Sequence, residues 1–236
     1  MPYDFGRGED IVEAMHDRYV TRWPRTLVYV QHNQLTPRAG APTASVWLTA
    51  VQPPQRVRID IDPREQGNGL LIVGDTQYVI TGGRPSQVIR QTDPATLLQH
   101  DVYFLTPPET IARLRALGVD LSAVRQDQWQ GRAVFVLGRT GRSARELWID
   151  RELMLIVRLL EPSPRDPSIT MDTRFHEYER LGSAWVPRRI ESLEDNERIA
   201  SRELRQIRSN LTLDSLLFRP DDWTRARHWY QSAILR

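Results

Sequence analysis

The chain contains no cysteine, and inspection of its 32 basic residues shows that every one of them is arginine, so lysine is absent as well. Without cysteine there can be no thiol nucleophile, no disulfide and no cysteine-ligated metal. Without lysine there can be no lysine Schiff base, no phosphate-loop lysine and no lysine general base. These two absences exclude several classes of enzyme before any motif is considered.

Long apolar runs are also absent from the sequence. No segment approaches the roughly 18 uninterrupted apolar residues that a membrane-spanning helix needs. Residues 1–7 lack the basic start and the following apolar run of a signal peptide. We therefore expect a soluble globular protein that is either cytoplasmic or has lost a leader.

The arginines are interspersed with acidic residues rather than clustered. Arg56, Arg58, Asp60 and Asp62 alternate along one short stretch, and the formal net charge of the whole chain is only +2. A nucleic-acid-binding face would need basic residues gathered on one side together with aromatic platforms. The pattern instead predicts a solvated strand face, and we expect no nucleic-acid partner.

Most of the sequence has the pattern of antiparallel β-strands. Residues 55–62 alternate strictly, with Val57, Ile59 and Ile61 on the apolar side. Gly74 and Asp75 separate two further β runs as a hairpin turn would. The other predicted strands are residues 26–35, 44–51, 70–73, 76–80, 132–138, 144–150, 154–161, 169–178, 185–192 and 198–208.

Only three segments have a helical pattern: an N-terminal helix at residues 8–19, a helical insertion at about 94–118, and a C-terminal helix at about 221–235. There is no internal repeat and no flexible linker, so residues 1–236 are expected to form a single domain. Three helices are too few to cover both faces of about ten strands. The predicted fold is mostly β, a strongly curved antiparallel half-barrel with a few covering helices and an apolar concave face.

No catalytic template fits the sequence. The five histidines lack the spacing of a zinc site, and there is no Gly-x-Ser-x-Gly motif. Gly67, Asn68 and Gly69 lead into a strand, where they cannot place a phosphate at a helix N-terminus. We expect no catalytic residue, no metal and no cofactor. A pair of carboxylates brought together by the fold would still allow a hydrolase, which stays open as a third possibility.

Several short motifs follow one another along the chain. The stretch 147–150, Leu-Trp-Ile-Asp, opens a hairpin. The other motifs are Met-His-Asp-Arg-Tyr at 15–19, Trp-Pro-Arg-Thr-Leu at 23–27, Arg-Val-Arg-Ile-Asp at 56–60, Trp-Gln-Gly-Arg-Ala at 129–133, Tyr-Glu-Arg-Leu-Gly-Ser-Ala-Trp-Val-Pro at 178–187 and Leu-Asp-Ser-Leu-Leu-Phe-Arg-Pro at 213–220. In this order the motifs resemble those of the LolA-like superfamily of lipoprotein carriers, in which a hairpin with Trp-Ile-Asp followed by Leu-x-x-Val-Arg is typical. The resemblance implies a half-barrel with a helical lid, an apolar cavity for acyl chains, and a periplasmic protein whose leader has been removed.

The leading hypothesis is a non-enzymatic protein of the bacterial envelope that binds a lipid or the acyl chain of a lipoprotein, peripheral at most to the membrane. The alternative is an envelope protein-interaction or sensor module whose cleft is filled by its own side chains. A cavity would favour the first and a filled core the second. The residues expected to line the cavity are Trp47, Val57, Ile59, Phe135, Leu155, Val157 and Phe175.

Overall fold

A computed structural model describes residues 5–37, 40–141 and 144–231. The α-helices are α1 (Gly8–Tyr19), α2 (Pro94–Gln99) and α3 (Pro107–Ala116). The strands are β1 (Leu27–Leu35), β2 (Thr43–Val51), β3 (Arg56–Ile61), β4 (Gly69–Val73), β5 (Thr76–Thr81), β6 (Arg84–Arg90), β7 (Val124–Trp129), β8 (Arg132–Leu137), β9 (Glu146–Asp150), β10 (Ile156–Pro162), β11 (Thr170–Leu181), β12 (Ala184–Glu194) and β13 (Glu197–Ser209).

The predicted fold class, mostly β and antiparallel, is confirmed. Within the described residues the strands follow the order β6-β5-β4-β3-β2-β1-β13-β12-β11-β10-β9-β8-β7, so the sheet has two edges and does not close. Its described part has thirteen strands, two more than the eleven strand segments predicted from the sequence. Two segments that were not predicted as strands, β6 and β7, are the edges themselves. Their sequences are Arg-Pro-Ser-Gln-Val-Ile-Arg and Val-Arg-Gln-Asp-Gln-Trp. They were not predicted because edge strands tend to carry polar residues and proline, which obscure the alternating pattern of a strand.

The chain divides into two compact units. Unit 1 comprises the described residues of 1–23, 35–41 and 102–201, and unit 2 those of 24–34, 42–101 and 202–236. Strands β7 to β12 belong to unit 1 with α1 and α3, and β2 to β6 belong to unit 2 with α2. A single domain over 1–236 remains a prediction, and each unit is described by itself.

In unit 1, α1 packs closely against its neighbours through the side that carries Ile11, Val12 and Met15, all of which are buried. Its first residue is glycine for a steric reason. A Cβ at Gly8 would stand 2.4 Å from Leu137 and 2.8 Å from a backbone carbonyl, so a larger residue would force the helix away. The helix lies at the predicted bounds.

Three aromatic rings fix the end of α1 within unit 1. Tyr19 packs edge-on against Trp23 and Tyr103, and the last two rings stack with centroids 4.1 Å apart. The Tyr19 hydroxyl donates to the carbonyl of Leu153, and the Tyr103 hydroxyl accepts from the amide of Ile156. The helix is thereby joined to the β9–β10 hairpin that the Trp-Ile-Asp motif predicted.

In unit 2, the segment after β13 covers one face of the sheet but is not the predicted α-helix. Residues 220–231 form only short 3-10 turns, and residues 232–236 lie outside the described part of the chain. In an α-helix the amide of Arg227 would donate to the carbonyl of Trp223. Instead Arg227 donates to the Asp214 carboxylate, and the Trp223 carbonyl accepts from Arg58. Tertiary contacts therefore replace the helical hydrogen bonds.

The same segment overturns the expectation of a solvated face on β3. Arg58 is 0% exposed and Asp60 is 6% exposed, because Trp223 and the residues after it cover them. The guanidinium of Arg58 donates twice to the Asp60 carboxylate, at 2.9 and 2.8 Å, and lies 3.6 Å from the centre of the Trp223 ring. The alternation along β3 correctly placed Arg58 and Asp60 on one face of the strand. The sequence pattern could not show that a segment distant in the sequence covers this face.

Candidate functional site

Unit 1 and unit 2 each contain an apolar cavity, and together these two cavities include most of the residues that the sequence indicated. The unit 1 cavity has a volume of about 300 Å³. Its lining residues come from β7 to β12 and the β9–β10 turn: Trp129, Gln130, Arg132, Val134, Asp150, Leu153, Leu155, Val157, Phe175, His176, Glu177, Tyr178 and Trp185.

The apolar wall of the unit 1 cavity arises from strand alternation. Val134 on β8 and Val157 on β10 pack in one cluster with Trp129 and Trp148. On β11, Glu177 has a positive φ of 54°, which breaks the regular alternation. As a result Phe175 and Tyr178 both reach the cavity.

The charged groups of the unit 1 cavity are all paired. The Asp150 carboxylate accepts from the backbone amides of Glu152 and Leu153 at 2.9 and 2.7 Å, and from the guanidinium of Arg132. Glu177 forms an ion pair with Arg189 at 2.5 Å. These contacts give the two carboxylates structural partners, so the geometry does not favour the acid pair of a hydrolase.

His176 completes the polar rim of the unit 1 cavity. Its Nε2 lies 3.3 Å from a carboxylate oxygen of Glu191. Burial lowers the pKa of His176 below its usual range, while the Glu191 carboxylate acts in the opposite direction. The imidazole is therefore neutral at pH 7 and adds no charge to the cavity.

The unit 2 cavity is smaller, with a volume of about 210 Å³. Its walls come from β1 to β4, from α2 and from β13. Its lining residues are Tyr29, Gln31, Trp47, Val57, Ile59, Leu70, Ile72, Asp93, Ala95, Thr96, Gln99, His100 and Arg202. Val57 and Ile59 lie on the face of β3 opposite to Arg58 and Asp60, as the alternation predicted.

The polar groups of the unit 2 cavity are arranged differently from those of unit 1. His100 is 4% exposed, and burial lowers its pKa to about 4, so it is neutral at pH 7. Asp93 caps α2 by accepting from the amide of Thr96 at 2.7 Å. Arg202 is half-buried, and burial lowers its pKa, against the influence of Asp93 and Tyr29.

The seven residues expected to form one cavity are thus distributed over three places. Trp47, Val57 and Ile59 line the unit 2 cavity, whereas Leu155, Val157 and Phe175 line the unit 1 cavity. Phe135 is fully buried and is part of neither lining. Its ring packs edge-on against Phe5 at 5.5 Å and lies under the guanidinium of Arg151.

Sequence reasoning missed the polar residues of both cavities. One signal could have indicated Arg202: on β13 it has the same strand parity as Leu204, which is buried, whereas Glu203 and Arg205 are exposed. Alternation therefore places an arginine on an apolar face. No comparable signal indicates His100, because it lies just after a short helix whose packing is set by distant strands.

Within the described ranges, no group of three or more histidines and acidic residues is placed to hold a metal ion. None of the helices described is long and apolar enough to span a membrane.

Comparison with known proteins shows the fold but no closer relationship. Neither a family model nor a curated protein matches this chain. A DUF1329 family protein from Desulfovibrio piger has a similar structure, with a TM-score of 0.61 and 15% identity over 89% of this chain and 95% of that one. An outer membrane lipoprotein-sorting protein domain from Vibrio parahaemolyticus is similar as well. Its TM-score is 0.61, and the two sequences are 12% identical over 92% of this chain and 97% of that one.

A LolA superfamily protein from Nitrosomonas europaea is also similar, with a TM-score of 0.57 and 14% identity over 86% of this chain and 94% of that one. At such identities the likeness concerns the fold alone. The resemblance to LolA-like proteins that the sequence motifs indicated is thereby confirmed at the level of the fold.

Proposed function

We propose that this chain, whose fold is that of LolA-like proteins, binds and carries a lipid or the acyl chain of a lipid-modified protein and catalyses no reaction. The single observation that carries the proposal is the unit 1 cavity, about 300 Å³ in volume and walled by Leu155, Val157 and Phe175. Ligand cavities in proteins start at about this size. The alternative, an interaction module with a filled core, is less well supported because both units contain a cavity.

The size of the unit 1 cavity suits one segment of an acyl chain. If a methylene occupies about 30 Å³, as a water molecule does, the cavity has room for roughly ten of them. Burial of each contributes about 0.8 kcal/mol, or about 8 kcal/mol gross. The ordering of the ligand and the loss of its free motion offset several kcal/mol of this. The resulting complex is reversible, as a carrier requires.

The unit 2 cavity is proposed as a second, smaller binding site, with Trp47, Val57 and Ile59 in contact with the ligand. Phe135 is proposed to act from behind the unit 1 cavity by supporting its strand. The structural neighbour from Vibrio parahaemolyticus is described as an outer membrane lipoprotein-sorting domain. That description supports a periplasmic location, a lipoprotein as the source of the acyl chain, and an envelope protein as a further partner.

The proposal can be tested with an uncharged apolar dye, N-phenyl-1-naphthylamine, displaced by a tripalmitoylated peptide. The test variant is Val157→Asp, which places a carboxylate on the cavity wall. The matched control is Val88→Asp, because Val88 is 53% exposed and lines neither cavity. We expect Val157→Asp to lose peptide binding and the part of the dye binding that the peptide displaces, and Val88→Asp to keep both. Equal binding by the two variants, or no binding by the wild type, would overturn the proposal.

A further inference from the structure

Arg202 lines the unit 2 cavity, and its guanidinium has no protein partner in the described part of the chain. Across the described residues it forms no hydrogen bond and no ion pair within 4 Å. Arg58, which is fully buried in the same unit, is paired by contrast: it donates to the Asp60 carboxylate and to the Trp223 carbonyl. Arg202 is therefore the cationic group of unit 2 whose donors remain available to a ligand inside an apolar space.

An unpaired guanidinium in such a place is unfavourable for the protein alone. It carries five N–H donors and cannot accept a hydrogen bond. Because the side chain is half-buried, part of its hydration is lost, and an anion that enters the cavity can replace the water that remains on its donors. Guanidinium binds carboxylate and phosphate groups through two parallel hydrogen bonds, which makes arginine suited to such ligands.

His100 gives the same cavity a second unsatisfied polar group. Its side chain is 4% exposed, and its Nδ1 has no hydrogen-bond partner among the described residues. A neutral imidazole can donate from one nitrogen and accept at the other. It can therefore bind a carboxylic head group without adding a charge to the cavity.

Asp93 restricts the charge that the ligand can carry. It lines the same cavity, and its negative charge acts on Arg202 although the two are not in ion-pair contact. A doubly charged phosphate would be repelled by Asp93 more strongly than a carboxylate, and it is more costly to remove from water. Arg202 attracts an anion and Asp93 offsets part of that attraction, so the cavity suits a ligand with no more than one negative charge.

We infer that the unit 2 cavity binds the carboxylate end of a medium-chain amphiphile, with Arg202 on the carboxylate and the chain against Val57, Ile59 and Ile72. This inference rests on the proposed function only in assuming that the cavity takes a ligand. A volume of about 210 Å³ corresponds to roughly seven methylene-sized groups, so octanoate is a suitable probe.

The test is a calorimetric titration of the full chain with octanoate, octanol and octyl phosphate. For the wild type we expect octanoate to bind most tightly. Arg202→Gln should weaken octanoate binding roughly 10- to 100-fold, since a hydrogen bond to a charged group is lost, and should leave octanol binding unchanged. Asp93→Asn keeps a capping side chain and removes the repelling charge, so it should tighten octanoate binding.

The matched control is Arg205→Gln, an arginine on the same strand that is exposed and pairs with Glu203. We expect it to bind octanoate as the wild type does. Thermal unfolding of each variant shows whether it is folded, and Asp93→Asn, which acts in the opposite direction, cannot be mistaken for a folding defect.

The possible outcomes separate this inference from the proposed function. If octanol binds as tightly as octanoate, or if Arg202→Gln leaves octanoate binding unchanged, the carboxylate assignment is wrong while chain binding stands. If octyl phosphate binds at least ten times more tightly than octanoate, the ligand class is wrong. If none of the three binds, the proposed function fails for this cavity as well.

Discussion

The two cavities are similar in apolar character and differ in how their charges are paired. In the unit 1 cavity, Asp150 forms an ion pair with Arg132, and Glu177 forms one with Arg189. In the unit 2 cavity, Arg202 has no such partner in the described part of the chain. Strand alternation thus builds an apolar wall in both units. Under the proposed function, the few polar residues beside each wall select the ligand of that cavity.

The most direct test of this difference is to introduce a charge into the wall of one cavity at a time. Val157→Asp should remove binding of the tripalmitoylated peptide and leave octanoate binding intact, because it affects unit 1. Ile59→Asp should remove octanoate binding and leave binding of the tripalmitoylated peptide intact, because it affects unit 2. In each case the expected loss is at least tenfold, since a carboxylate on an apolar wall is strongly unfavourable. Titration of both variants with both ligands is the measurement.

A single variant that loses both ligands while still folded would contradict the assignment of separate sites. Circular dichroism provides the folding control. Both side chains are only partly buried, so neither substitution is expected to unfold the sheet.

The second prediction compares the buried ion pairs of the two units. Arg58→Met leaves buried Asp60 with only the His228 imidazole beside it, 3.7 Å away, and should lower the free energy of unfolding by about 3–5 kcal/mol. Arg158→Met should cost less, about 1–2 kcal/mol, because Asp172 keeps a second arginine, Arg174, at 2.8 Å. The urea concentration at the midpoint of unfolding measures both.

The double variant Arg58→Met with Asp60→Leu is the control for that prediction. It removes both charges, so it should recover much of the lost stability. If Arg158→Met proves as destabilising as Arg58→Met, Arg174 does not compensate for the loss of Arg158 beside Asp172, and the predicted difference between the two ion pairs is wrong.

The third prediction concerns pH, and its effect on stability is smaller than that of Arg58→Met. His100 has a pKa of about 4 in the folded protein and an ordinary value of 6.5 when unfolded. Between these values the unfolded chain binds more protons, so stability is greatest above pH 6.5 and falls as the pH drops towards 4. The loss is at most about 3 kcal/mol. His176 in unit 1 is shifted in the same direction, but it is less buried, and Glu191 opposes the shift.

Urea unfolding at pH 7.5 and at pH 4.5 checks this for the wild type, His100→Gln and His176→Gln. His100→Gln should lose clearly less stability on acidification than the wild type, and His176→Gln only slightly less. Equal pH dependence of the wild type and His100→Gln would show that burial of His100 is not the source of the acid sensitivity.

The sequence predicted much of the fold because its interior strands alternate clearly. The strict alternation around Val57 and Ile59 gave β3 and its apolar face, and the Gly74–Asp75 turn gave a hairpin. The strands β6 and β7 were not predicted because each lies at an edge of the sheet, where polar residues are tolerated and no apolar alternation marks the strand. The C-terminal helix was predicted wrongly because Trp223 and Arg227 hydrogen-bond to distant residues instead of to each other.

The site was harder to predict than the fold. Alternation identifies which residues face an apolar space, and Leu155 and Ile59 were found in this way. It does not show that they line different cavities, because that depends on which strands end up in which unit. The pairing of Arg132 and the lack of a partner for Arg202 likewise depend on residues far apart in the sequence.

Native mass spectrometry of the protein freshly purified from bacterial cells tests whether the cavities bind ligands in the cell. We predict that part of the wild-type protein carries the additional mass of a lipid, which collisional activation releases. Val157→Asp should lack that mass and Val88→Asp should retain it. Detection of the bare polypeptide alone in the wild type and in Val88→Asp would contradict a carrier of lipids.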